Sequence, residues 1–118
     1  MAEAGLRLFN QGHYFEAHEA LETAWRDEKS PLRGLYQGIL QVGVGYHHLL
    51  RGNHSGAIRL LDRAEKCLAP FPDQCSGIDL GQLRQDFFFV RAELIRLGPQ
   101  RLHLFNRELL KPLIYQGS

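Results

Sequence analysis

Two segments of this chain, NQGHYFEAHEALETAW and LRGNHSGAIRLLDRAE, align with Gly12 on Gly52, Ala17 on Ala57, Leu21 on Leu61 and Ala24 on Ala64. The offset is 40 residues throughout. Each copy reads as a helix, a Gly turn and a second helix, with the small Ala placed where two helices must come close. Glycine ends a helical run because it enters the left-handed conformation without steric penalty. Two such units commit the chain to helix-on-helix packing. The remainder agrees, because strand-like alternation is missing and Gly and Pro fall at helical intervals.

The periodicity predicts helices over about 2–10, 14–28, 31–51, 55–68 and 79–97. Ser30-Pro31 has the form of an N-cap followed by Pro at the first helical position, where a missing N–H costs nothing. Pro70 and Pro72 end the fourth helix, Asp79 with Gln82 has capping-box spacing, and Gly98-Pro99 stops the fifth. Leu102, Phe105 and Leu109 repeat at helical spacing, so 100–110 reads as a sixth, ended by Pro112. The expected fold is therefore all-α: a compact bundle of five or six helices built from two similar helix-turn-helix hairpins, in one domain over 1–118. The Gly-x-x-x-x-Ala spacing resembles the turn and second helix of a tetratricopeptide repeat. Stacked repeats need about three copies plus caps, so two copies point to a bundle rather than an open solenoid.

With 118 residues the chain can bury a single core. Its formal net charge of +1, with basic residues spread along the chain, gives no footprint for nucleic acid or an anionic membrane. The start, MAEAGLRLF, lacks the basic-then-apolar layout of a signal peptide. The apolar stretches are too short to span a bilayer, and the expected location is cytoplasmic. Cys67 and Cys75 flank a Pro-rich turn. They read as reduced thiols; CxxC spacing, the usual zinc signal, is absent.

The densest chemistry lies in FNQGHYFEAHEALETAW, Phe9 to Trp25. On a helical wheel Ala17, Leu21 and Ala24 centre the buried stripe of the second helix, with Tyr14 and Trp25 flanking it. His18 and Glu22 fall at the core boundary one turn apart, and Glu19 sits further round beside Phe15. Spacing of i and i+4 lets two side chains hold one ion or each other. The third helix is apolar nearly all round and reads as the central one. Gly38 and Gly45 share a face, which suits a close helix contact or a ligand. Beside them runs a polar stripe, Gln37, Gln41 and His48, whose expected partners are His18, Glu19 and Glu22. His47 is expected to point elsewhere, since adjacent helical residues diverge.

The expected binding residues are thus His18, Glu19, Glu22, Trp25, Gln37, Gln41 and His48. Three readings compete for them. The first is a structural polar network that fixes helix register. The second is a pocket for a peptide or small ligand, in a binding or interaction module without catalysis. The third is a divalent-metal centre of His18, Glu22 and His48, with Glu19 as general base of a metal-dependent hydrolase. HEALE is not the HExxH of zinc proteases, because Glu22 stands where the second His would be. Elsewhere, Phe87, Phe88 and Phe89 put aromatics around most of the fifth helix. They predict either a contact between copies of the chain or cover from the C-terminal tail. Arg59, Arg63 and Lys66 read as a solvated basic stripe, and His54 and Asn53 as turn and cap residues.

The same residues carry a family resemblance. FNQGHYFEAHEALETAW, followed by YQGILQVGVGYHHLLRGNHSGAIRLL, resembles a small bacterial and archaeal helical family known as domain of unknown function 309. Matching positions are Phe9, Asn10, Gly12, Tyr14, Glu16, Ala17, His18, Glu19, Leu21, Glu22 and Trp25, then Gln37, Gly38, Gln41, His48, Gly52, Asn53, Gly56 and Ala57. They span about 6–68; the helical part over 79–110 lies beyond them. The resemblance implies a compact all-α fold and no particular activity. Glu16 is part of the motif although the wheel puts it on the solvated side. It is expected to serve the Gly12 turn, an Arg of the third helix, or the site.

Overall fold

The two Gly turns have the same geometry. In the computed structural model, which describes residues 2–116, Gly12 and Gly52 both adopt φ +81°. The His13 N–H donates to the Leu8 carbonyl at 2.9 Å and the Asn53 N–H to the His48 carbonyl at 2.8 Å. Gly12 and Gly52 donate to Phe9 and Leu49, each at 3.0 Å. This is the helix stop in which residues on either side of a left-handed glycine satisfy the last carbonyls. It joins α1 (Ala2–Asn10) to α2 (Tyr14–Asp27), and α3 (Arg33–Leu50) to α4 (His54–Leu68). The internal echo is therefore two hairpins with one turn design.

The hairpins pack through α3, the central helix. Leu35, Ile39, Val42 and Tyr46 are wholly buried. Glycines set its spacing to its neighbours. A Cβ on Gly38 would come within 2.4 Å of Leu68 Cδ2, and one on Gly45 within 3.0 Å of Leu61 Cδ2, so this glycine face is the α4 contact. Gly43, on another side, lies against Phe9. Phe9, Tyr14 and Tyr46 form an aromatic cluster with centroids 5.2 to 5.8 Å apart. Gly5 lets α1 approach Leu21 of α2.

Helix starts follow the sequence except at α3, which begins at Arg33 with Leu32 in the N-cap position and no side-chain cap, so Pro31 lies ahead of the helix rather than at its first position. Ser30 Oγ accepts from the Leu32 N–H at 3.2 Å. Asn53 caps α4 by accepting from the Gly56 N–H at 3.0 Å, and Asp79 caps α5 (Leu80–Leu97) by accepting from the Gln82 N–H at 3.0 Å. The Gln82 side chain does not close a reciprocal box; it turns forward and donates to Asp86 at 2.9 Å. α5 is fastened to α4 by Arg91, bonded to Asp62 and Glu65 at 3.0 and 2.9 Å. Arg84 adds bonds to Asp73, at 2.8 Å, and to the carbonyls of Leu68, the last residue of α4, and of Phe71 beyond it.

Two features depart from the helical expectation. Residues 74–79 form a short antiparallel hairpin, β1 (Gln74–Cys75) and β2 (Ile78–Asp79), around Ser76 and Gly77 at φ 52° and 78°. Positive φ at both central positions matches the twist of a two-residue hairpin. The tail is not one sixth α-helix but two 3₁₀ helices, Pro99–Leu104 and Arg107–Leu109. Arg101 leaves helical geometry within the first, and Asn106 restarts the second by accepting from the Glu108 N–H at 3.0 Å. The chain then runs back as a strap. Leu113 is bonded twice to Asn10, through its carbonyl at 2.9 Å and its N–H at 2.6 Å. Tyr115 pairs with Ile78.

Candidate functional site

The seam between α2 and α3 carries His18, Glu22, Gln37, Gln41 and His48 but not Glu19, and among the described residues the expected bonds between the two helices are not made: His18 pairs with Glu22 and His48 with Asn53. Phe15, His18, Glu22 and Trp25 fall on one side of α2 by helical spacing, and Gln37, Gln41, Val44 and His48 on one side of α3. Phe15 meets His47 at one end, with ring centroids 5.7 Å apart. Trp25 meets Arg33 at the other: the guanidinium carbon stands 4.7 Å from the indole centroid, and Arg33 Nε donates to the Trp25 carbonyl at 3.2 Å. This antiparallel register sets Glu22 opposite the Gln37–Gln41 stretch.

Phe15, His18, Val44, His47 and His48 line a cavity of about 270 Å³ at the first end. Phe15 is 52% exposed despite its size. Beside it His18 Nε2 lies 3.3 Å from Glu22 Oε2. His47 therefore faces the same cavity as His48, contrary to the expected divergence. The rings are 6.4 Å apart, and the groove is wide enough to be reached from both positions.

His48 has a defined role in the wall. Asn53 Oδ1 accepts from Gly56, which orients the amide so that Asn53 Nδ2 donates to His48 Nδ1 at 3.3 Å. An accepting Nδ1 places the ring proton on Nε2. Burial, reinforced by His47 and Arg59, holds the His48 imidazole below its ordinary pKa, favouring the neutral ring. Gln41 Oε1 is buried without a hydrogen-bond partner among the described residues, whereas Gln37 is half-buried. Glu19 lies on the exposed side, and its carbonyl accepts from Thr23 Oγ1 at 3.3 Å. Glu16 belongs to the Gly12 turn, 3.6 Å from His13.

The three residues considered as metal ligands are only partly brought together. His18 and Glu22 are side by side, and His48 shares a cavity with His18 while its Nδ1 is engaged by Asn53. Among the described residues, no group of three or more His, Cys, Asp and Glu side chains is arranged to hold a metal ion.

Sequence reasoning missed Asp86. The residue is 8% exposed; its carboxyl accepts from Gln82 and is pushed above the usual carboxylate range by burial. The only signal was an acid beside Phe87 on the face that carries Leu83, Val90 and Leu94. Under the seam the Tyr46 hydroxyl is also buried without a partner among the described residues; burial, then the charges of Asp86 and Tyr14, raise its pKa.

A bundle of two matched hairpins, with a His-lined groove along α2 and α3, defines the class of protein. The chain belongs to the family described as Domain of unknown function (DUF309), whose model matches residues 2–60. It is 30% identical over 77 residues to an uncharacterised protein of Aquifex aeolicus (strain VF5), covering 64% of this chain and 23% of that protein. It is 38% identical over 56 residues to the uncharacterised protein YpuF of Bacillus subtilis (strain 168), covering 47% of this chain and 32% of YpuF. The chain thus spans less than a third of either of these relatives.

Proposed function

We propose that this chain is a non-catalytic binding or interaction module whose recognition surface is the α2–α3 groove. The supporting observation is Phe15, half out in solvent at the rim of a cavity that His18, Val44, His47 and His48 complete. An exposed aromatic beside convergent polar groups is the composition of a ligand site rather than of a solvated helix face. The occupant would be a short peptide segment or small organic molecule, with an apolar group against Phe15 and Val44 and polar atoms toward the imidazoles. The likeness of the hairpins to tetratricopeptide units supports a scaffold that presents helix faces to partners. Among the described residues no helix is long and apolar enough to cross a membrane, and a cytoplasmic setting belongs to the proposal.

The competing hydrolase, with His18, Glu22 and His48 on a divalent metal and Glu19 as base, requires His48 to turn from Asn53 and meet the His18–Glu22 pair. Glu19, on the exposed side, would also have to reach that centre.

A fragment and short-peptide screen followed by amide chemical shifts tests the proposal. Hits should perturb Phe15, His18, Val44, His47 and His48 together and disappear in Phe15→Ala, while its melting temperature stays at the wild-type value. Hits that persist in Phe15→Ala would place recognition elsewhere. A saturable zinc or manganese titration converging on His18, Glu22 and His48 would favour the metal centre.

A further inference from the structure

Three of the six large apolar side chains exposed among the described residues, Phe88 (54%), Phe89 (51%) and Ile95 (63%), are on α5. Phe88, Ala92 and Ile95 recur at helical spacing and form one stripe, with Phe89 edge-on to Phe88 at 5.7 Å between centroids. The strap does not cover this stripe, because it runs to Asn10 and Ile78 instead. Phe87, by contrast, is buried in the core.

We propose that this face binds a second copy of the chain, with the two α5 helices antiparallel about a two-fold axis at Ala92. The stripe reads the same from either end: a bulky apolar residue, a small one, a bulky apolar residue. A two-fold at the small residue sets Phe88 against Ile95 of the second copy and lets the helices approach closely at Ala92. It also brings Arg96 to the ring of Phe89 of the second copy, a cation–π arrangement. The flanks carry both signs, with Glu93 paired to Arg96 and Arg91 neutralised by Asp62 and Glu65. Mixed charge suits a self-complementary protein surface better than an anionic lipid or a nucleic acid. Two half-exposed Phe and one Ile supply roughly 300 Å² of apolar surface per copy. With the flanking residues this is the small end of specific interfaces, about 1,200 Å² in total. An interface this small is expected to exchange between monomer and dimer.

Sedimentation velocity of the full chain from low to high micromolar concentration tests this directly. Wild type should shift from monomer to dimer, and Phe88→Asp and Ile95→Glu should each remain monomeric with an unchanged circular dichroism melting curve. The register is read by crosslinking in a Cys67→Ser/Cys75→Ser background. Ala92→Cys should oxidise readily to a covalent dimer. Gln85→Cys should not, since the axis places it about 21 Å from its copy. A wild-type monomer at every concentration overturns the proposal, as does a dimer that survives Phe88→Asp. Binding of monomer to anionic lipid vesicles, lost in Phe88→Asp, without self-association overturns it in favour of a membrane surface.

Discussion

Asn10 acts on a residue 103 positions away: its amide donates to the Leu113 carbonyl and accepts from the Leu113 N–H. Replacing it with Ala leaves two half-buried backbone groups unpaired, and Asn10→Ala should lose about 1–3 kcal/mol in urea unfolding. Hydrogen exchange should rise over 110–116 before it rises in the helices. Two other residues make stability depend on pH in opposite senses. Asp86 is driven up by burial, partly offset by the Gln82 bond and by Lys111, with Asp79 adding to the rise. A carboxyl whose folded pKa lies above its unfolded value stabilises the fold at low pH and loses that contribution as pH rises through the folded value. Asp86→Asn keeps an oxygen for Gln82 and should be more stable than wild type at neutral pH, with the difference vanishing in acid. The lowered pKa of His48 works the other way. Its contribution is intact above the ordinary imidazole value of 6.5 and falls as pH drops below it. Urea unfolding of Asp86→Asn and His48→Gln across the acid-to-neutral range separates the two.

The elements show what was legible and why. Gly12 and Gly52, the Asn53 and Asp79 caps and the Gly98 stop could be read because each acts on its own few residues of backbone. His18 and Glu22 were correctly placed as neighbours, since i and i+4 on a helix is local geometry. The cavity was less legible. His47 joins it because of how α3 sits against Phe15, and no spacing within α3 reveals that. The β-hairpin and strap were invisible, because Ile78 and Tyr115 make sense only as a pair. The matched turns also expose a difference: Asn53 caps α4, while His13, at φ −86° and ψ 66°, makes no side-chain cap for α2. Asn53 holds a similar φ −94° and ψ 84°. His13→Asn should therefore add a cap and stabilise by about 1 kcal/mol, read as a raised melting temperature. Gly38→Ala should do the reverse. Its Cβ would strike Leu68 Cγ and Cδ2 at 2.5 and 2.4 Å, forcing α3 and α4 apart at a cost of about 1–3 kcal/mol.

For the molecule as a whole, the family match over 2–60 covers both Gly turns, all of α3 and the groove. The exposed α5 face and the strap lie outside it. The proposed recognition groove and the proposed self-association face thus lie on separate parts of one chain. Phe15→Ala and Phe88→Asp should then act independently: the double variant should lose both behaviours, each by the same factor as its single variant. A second property follows from the Asn10–Leu113 clasp. Synthesis is vectorial, so α1 emerges long before the residue that pairs with it. Until then Asn10 has no Leu113 to bind and β2 lacks the strap that lies along it. A nascent chain arrested before Leu113 would present an open sheet edge and an unfastened first helix. Chains arrested before and after Leu113 should consequently differ in protease sensitivity far more than their shared helices would suggest, because the clasp closes only once that residue is available.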